Sequence, residues 1–359
     1  MDEVDVSEQG TLRRADMPAS GISGRRRISS WLHGLLSVGA LGLAAAALMP
    51  LFHPLWPLTA VAEHFALQIL AAAILLVVLA LALRCWRWLA LVLGIALIQV
   101  WIIHPYWPGL NLVLTPMNNE ARFKIVSLNV FYRGDSYQSV RDYLAASGAD
   151  VIGLVEVTPR WKAELAPLRA LYPYGVDCLA ADQRCEEMLL SKHPFTKSGA
   201  ARIDQRLPVL AWGEIALPGR KSVTIAVTHL VWPLMPAKPA ELATGPYETA
   251  PADGLPRIAQ AEQAAQLLAG LARLPEDAIL MGDFNAAPWS RIQQDLRMAS
   301  GFDNAGFMVP SWPAWGPALI RLPIDHIMAR GQARVISLAA GPDVGSDHLP
   351  VEAIVSLAQ

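Results

Sequence analysis

Charge is scarce in this chain: 17% of its 359 residues are charged, whereas 53% are hydrophobic. The shortage is uneven. Residues 31–107 carry almost no charge, a composition foreign to an ordinary soluble segment, while residues 118–359 read as a normal globular domain. Three cysteines are too few for a disulfide-built scaffold. No GxSxG turn marks a nucleophilic serine, no glycine-rich loop marks a phosphate cradle, and no internal repeat is present. Residues 118–359 hold 22 Lys and Arg against 25 Asp and Glu, a net charge of −3 without a basic cluster, which disfavours a protein that grips a nucleic-acid backbone.

Three apolar runs occupy the charge-poor region: Trp31 to Phe52, Phe65 to Leu83 and Trp88 to Ile103. The first two have about the twenty residues that a bilayer-spanning helix needs, and the third reaches that length if Trp86, Trp101, Tyr106 and Trp107 lie in the interface. The expectation is an all-α anchor of three transmembrane helices over 31–107, favoured over a buried soluble bundle because no polar face interrupts the runs. A polar leader, 1–30, is expected to be disordered, and prolines at 105, 108 and 116 mark a linker over 108–122. Arg13, Arg14, Arg25, Arg26 and Arg27 precede the first run and Arg84 and Arg87 separate the second from the third, while residues 53–64 and 104–121 hold Arg and Lys at none of their positions. All basic clusters thus fall on one, cytoplasmic side, and the C-terminal domain is expected on the extracytoplasmic, periplasmic face. An export signal at Arg26-Arg27 is the alternative. Cys85 sits at a span boundary; Cys178 and Cys185 flank a polar loop and could close a disulfide, which spacing alone leaves open.

The domain, 123–359, opens on a strand, 123–130, that ends on Asn129. A helix is expected over 137–146, a buried strand over 150–157 bearing Glu156, and a helix over 160–171. Strands follow at 187–191, 209–217 and 222–231, the last carrying His229, and then a long Pro- and Ala-rich loop, 232–256. A helix over 257–274 leads into the strand and loop of Met281-Gly282-Asp283-Phe284-Asn285, with a further helix over 290–298, a strand at Asp325, a hairpin region holding Asp347 and His348, and a final strand over 351–356. Partial alternation of strands and helices favours an α/β sandwich of two mixed sheets over a doubly wound parallel sheet.

Five strand ends therefore each carry a polar group: Asn129, Glu156, His229, the Asp283 and Asn285 pair, and Asp325, with Asp347 and His348 ahead of the last strand. A carboxylate in so apolar a strand as that of Glu156 is costly unless paired or metal-bound. Oxygen donors of this kind suit Mg²⁺ or Mn²⁺ better than zinc, and such a site suits phosphoester hydrolysis. His326 and His193 read as structural: the first points to the opposite face from Asp325, and the second lies in a turn. Trp312 and Trp315 read as lid or core residues.

Six segments, SLNV at 127–130, LVEV at 154–157, VTHL at 227–230, GDFN at 282–285, IDHI at 324–327 and GSDHLP at 345–350, together resemble the endonuclease/exonuclease/phosphatase (DNase I-like) superfamily, in its order and over nearly all of 123–357. DFNAAPWS, SWP at 311–313 and the anchor resemble its bacterial membrane-anchored branch, which contains the VanJ-type teicoplanin-resistance proteins. The resemblance implies a four-layer α/β sandwich, with Glu156 as principal metal ligand beside Asn129 and Asp347. It implies that Asp283 orients or deprotonates the attacking water and that Asn285 and His229 hold the phosphate. His348, paired with Asp325, would act as general acid/base or stabilise the pentacoordinate phosphorus. Phe131 stands where some nucleases of the superfamily have a metal-binding acid, and Val155 where a glutamine is frequent.

The expected function is a membrane-anchored phosphoesterase that uses a divalent metal and acts on a lipid-linked or membrane-proximal phosphoester. An extracytoplasmic nuclease acting on DNA or RNA is the second reading, a non-catalytic binding module the third, and no protein partner is inferable.

Overall fold

The computed structural model describes residues 20–52, 59–107, 121–177, 186–204, 207–216, 222–233, 260–304 and 306–357. Cys178 and Cys185, the leader as far as residue 19, most of the linker and most of the 232–256 loop lie outside the described residues.

Two short parallel pairs organise the C-terminal part. β1 (Ala121–Asn129) runs parallel to β2 (Val151–Val155), and β7 (Val223–His229) runs parallel to β8 (Ala278–Asp283). Antiparallel strands extend both pairs: β3 (Tyr174–Asp177), β4 (Met188–Ser191), β10 (Ala333–Ala340) and β11 (Val351–Leu357) complete a six-stranded sheet ordered β10-β11-β1-β2-β4-β3. β5 (Phe195–Asp204), β6 (Leu207–Ile215) and β9 (Asp325–Arg330) complete a five-stranded sheet ordered β5-β6-β7-β8-β9. The central strands are covered on both faces, which explains their near-continuous apolar sequences. Ile125, Val151, Val227, Ile279, Met281 and Val355 share the core between the sheets.

Helices close the outer faces. α5 (Tyr137–Ala146) and α6 (Pro159–Glu164) bury Val140, Leu144 and Trp161 against the first sheet, and α7 (Gln260–Leu271) and α8 (Arg291–Ser300) bury Leu267, Leu271 and Leu296 against the second. The layers run helix, sheet, sheet, helix, as the two-sheet expectation requires. Thr158 caps α6 by accepting from the Trp161 amide at 3.1 Å. The helix expected over 160–171 instead stops at Glu164 and continues as a 3₁₀ turn, Ala166–Ala170, because Pro167 has no amide proton to extend the α ladder.

The N-terminal part shows two of the three expected runs as helices of spanning length. Ser30–Phe52, within α1 (Ser20–Leu48) and the turn after it, and Trp86–Tyr106, which includes α4 (Trp86–Ile103), are long and apolar enough to cross a membrane. The middle run forms only α3 (Ala66–Ala82), 17 residues long and shorter than a full span. It loses length at its start, where α2 (Thr59–Glu63) and a turn at His64 and Phe65 interrupt the run, and ends before Arg84, whose φ of 56° breaks the helix. These helices turn large apolar side chains outward, among them Leu35, Val38, Leu75, Val78, Leu97 and Trp101.

Candidate active site

The C-terminal ends of both parallel pairs open at the same edge of the sandwich. β1 ends on Asn129 and β7 on His229, β8 ends on Asp283, and Glu156 follows β2 directly. Glu156 lies just beyond the strand expected to contain it, at φ 60°. Phe131 and Asn285 share this left-handed conformation, at φ 62° and 47°. Three strained residues at one rim turn their strand ends inward and are a mark of function.

Asn129 ties the two sheets together. Its amide nitrogen donates to Glu156 Oε1 at 2.9 Å and to Asp283 Oδ2 at 3.1 Å, while its oxygen accepts from the Phe131 amide at 2.9 Å. Glu156 Oε2 accepts from the Tyr132 amide at 2.9 Å, and Asp283 Oδ1 from the Asn285 amide at 2.8 Å.

Two imidazoles flank Asp283, each with a carboxylate of its own. His348 Nδ1 lies 2.8 Å from Asp325 Oδ2 and its Nε2 3.5 Å from Asp283 Oδ2. Ser311 Oγ donates to the same Asp325 oxygen at 2.5 Å. On the other side His229 Nδ1 lies 3.1 Å from Glu186 Oε2, and its Nε2 lies 3.7 Å from Asp283, 3.9 Å from Glu156 and 3.3 Å from the Asn285 amide nitrogen. Asn129, Glu156, His229, Asp283, Asn285, Asp325 and His348 thus gather here. Glu186 and Ser311 do as well: the sequence marked Glu186 only through the acid pair Glu186-Glu187 ahead of an apolar strand, and Ser311 only as the first residue of the SWP motif, without a role.

The charges set each group's protonation. Burial works against a charged His348, but Asp325 and Asp283 outweigh it and push the imidazole up to about 10. Burial likewise opposes charge on His229, and the bond to Glu186 with the charges of Asp283, Glu186 and Glu156 brings it to about 10. Asp283 is pushed up to about 6 by burial and by Asp325, against the pull of the two imidazoles. Burial raises Asp347 as well, with His348 opposing and Glu156 reinforcing.

Carboxylates outnumber the imidazoles, so the rim can hold a divalent cation. Asp347 Oδ1 is buried without a hydrogen-bond partner, and after burial the charge of Glu156 is a further cause that raises Asp347. A buried carboxylate oxygen left over in this way fits a metal ligand. Asp283, Asp325 and His348 also offer atoms within 4.8 Å of one another. Both nitrogens of His348 face carboxylates in that triad, an arrangement made for holding a proton.

His326 and His193 take the structural places expected of them. His326 Nε2 lies 2.7 Å from the Ala286 carbonyl and its ring meets Phe284 at 5.4 Å, behind β9; His193 turns the chain after β4 through paired bonds with Ser191. Trp312 is half-buried 6.4 Å from the His348 ring, whereas Trp315 is 75% exposed and is no core residue.

The model of the Endonuclease/Exonuclease/phosphatase family matches residues 126–348, the span that contains every one of these groups. The chain belongs to this family. An endonuclease/exonuclease/phosphatase from Bacteroides vulgatus is similar in structure, with a TM-score of 0.50 and 16% identity over 66% of this chain and 100% of that one. A second, from Beutenbergia cavernae, has a TM-score of 0.49 and 18% identity over 66% of this chain and 72% of that one. A mutant beta toxin from Staphylococcus aureus with bound magnesium ions has a TM-score of 0.45 and 16% identity over 65% and 99%. At this identity the Bacteroides vulgatus likeness speaks for the fold alone. No curated protein matches the sequence.

Proposed function

We propose that the chain is a membrane-anchored phosphoesterase that uses a divalent metal, Mg²⁺ or Mn²⁺, and acts at the extracytoplasmic surface on a lipid-linked phosphoester. The observation that carries the hydrolytic reading is Asp283 set between two imidazoles, each held by a second carboxylate. With both imidazoles near 10 they are cations at neutral pH and cannot serve as bases, while Asp283 near 6 is ionised and can. Asp283 therefore takes the proton of the attacking water. His348 and His229 face the charge that develops on the phosphoryl oxygens, and His348 Nε2 donates to the leaving oxygen, with Asp325, itself held by Ser311, fixing the orientation of the ring. Asn285 holds its place through the Leu230 carbonyl at 2.7 Å and orients its amide beside His229. Glu156 and Asp347 would hold the metal, with Asn129 aligning Glu156 against Asp283. When bound, the ion neutralises charge on the phosphate.

The lipid-linked substrate is supported by the outward apolar faces of the helices and by the net charge of −3 over 118–359. The full-length protein in detergent, supplied with Mg²⁺ or with EDTA, is to be offered lipid phosphates, DNA and RNA. Phosphate release from lipid, lost with EDTA and in Asp283→Asn and His348→Gln, is the expected result. Cleavage of nucleic acid without lipid turnover makes it a nuclease, and equal release by wild type and both variants makes the site non-catalytic.

A further inference from the structure

Three hydrogen-bonded points, besides the His64 contact with the Asn285 carbonyl, join the domain to the helical segment. Glu63 accepts from Trp289 Nε1 at 2.7 Å through its carbonyl and from the Arg291 amide at 2.8 Å through its carboxylate. Gln68, in the first turn of α3, donates to the carbonyl oxygens of Leu319 at 3.0 Å and Arg321 at 3.4 Å. Tyr106, just past α4, accepts from Arg297 at 2.9 Å. All three points lie at the same end of the α3–α4 hairpin, opposite the turn at Arg84.

The large apolar side chains exposed on the described part of the domain are Leu171, Tyr174, Met298, Trp315, Leu319 and Ile320. Four of these six sit on the segments that make those contacts: Trp315, Leu319 and Ile320 on the loop held by Gln68, and Met298 next to Arg297. A soluble surface scatters such residues singly; a cluster beside an apolar helical segment marks a surface that water does not cover. Leu75 and Val78, further along the same helix α3 whose Gln68 holds the loop, are exposed as well.

We infer that Trp315, Leu319, Ile320 and Met298 embed in the lipid bilayer around the anchor, as a collar that seats the active-site mouth at head-group depth. The inference rests on the membrane-anchor reading and adds to it a second, peripheral attachment made by the domain itself. Tryptophan is suited to this position because its ring is apolar and its N–H is polar. The collar also reaches the chemistry. Its loop starts at Ser311, which holds Asp325, passes Trp312 beside His348, and bonds the Ala314 amide to the Asp347 carbonyl at 2.7 Å. A phosphorylated lipid head group entering along the collar would meet His348 without leaving the membrane surface.

Hydroxyl-radical footprinting of the unmodified full-length protein in nanodiscs of phosphatidylethanolamine and phosphatidylglycerol tests this. Met298 is 76% exposed and Trp315 75%, against 40% for Tyr174 on edge strand β3, so in water both oxidise faster than Tyr174. In nanodiscs the order is expected to reverse, with Met298 and Trp315 protected below Tyr174 and Leu75 of α3 protected too. Protection of Leu75 with fast oxidation of Met298 and Trp315 overturns the collar and leaves the anchor standing. Oxidation of Leu75 as well overturns both.

Discussion

Asp325→Asn keeps the shape of the side chain and removes the charge that raises His348. Its expected effect is a fall in kcat on the order of a hundredfold or more, with substrate KM little changed, because the loss is felt in proton donation. Steady-state kinetics on a soluble phosphoester decides it. Glu186→Gln takes the negative charge from the partner that faces His229 at 3.1 Å, and weakening a charged hydrogen bond of this kind is expected to lower kcat/KM by about ten- to a hundredfold. Wild-type rates in Glu186→Gln would show that His229 needs no orienting group. His326 gives a separate, structural prediction. Burial lowers it from 6.5 to about 4, so the folded chain resists the proton that the unfolded chain accepts below pH 6.5. Its stabilising contribution is complete above about 6.5 and declines as pH falls towards 4, by on the order of 3 kcal/mol across the window. The drop in Tm between neutral and acid pH should therefore be smaller in His326→Gln than in wild type, and an equal drop in both disproves the assignment. Most site residues were legible at this scale because each stands where an apolar strand stops. Glu186 was not, since its partner His229 lies 43 residues away and no spacing rule joins them. The left-handed backbone at Glu156, Phe131 and Asn285 was equally invisible, because none of these is a glycine.

Strand β8 depends on Gly282, which adopts φ 138° and on which a Cβ would stand 1.9 Å from the Thr228 carbonyl oxygen of the neighbouring β7. Alanine there meets backbone, which cannot rotate aside, in a conformation that L residues rarely adopt. Gly282→Ala is expected to cost on the order of 3 kcal/mol or more and to separate the parallel pair that presents His229 and Asp283. A thermal melt unchanged from wild type would remove this strand pair as the support of the site. Central strands announced themselves as apolar runs, and both sheets were expected on that basis. β3, β5 and β10 were missed for a common reason. Each lies at a sheet edge, where one side of the strand pairs with nothing and a mixed sequence such as Phe195-Thr196-Lys197-Ser198-Gly199 suffices. The break at Pro167 was present in the sequence, but its apolar neighbours Leu165 and Leu168 keep a helical spacing across it, since both are buried against α5's side of the sheet.

At the scale of the whole molecule, the sequence divides into an anchor and a domain joined by a proline-bearing linker, and it gives no sign that the two touch. The contacts come from Glu63, His64, Gln68 and Tyr106, isolated polar groups without periodicity that meet partners some two hundred residues away. They place the anchor against the loop after β8: His64 Nε2 lies 3.2 Å from the Asn285 carbonyl, and Ala287 and Trp289 pack among Ala66, Ile69, Leu70 and Ile103. The anchor also completes α8. Ser290 precedes that helix, yet its hydroxyl makes no cap and has no partner, and the Arg291 amide is satisfied by the Glu63 carboxylate instead. A negative side chain at a helix N-terminus is worth on the order of 1 kcal/mol, so Glu63→Ala should lower stability by about that amount. His64→Ala should act on the chemistry from a distance, because it removes one of the two side chains on the Asn285 carbonyl, leaving Gln260 at 3.0 Å to hold the backbone that carries Asn285 towards His229. With both replaced, kcat on a soluble phosphoester is expected to fall severalfold while the response to added Mg²⁺ stays as in wild type, since the bonds removed lie on Trp289, Arg291 and the Asn285 carbonyl. Kinetics of the double variant in detergent, titrated with metal, read the two effects separately. Undiminished kcat would mean that the N-terminal helices contact the domain without affecting its site.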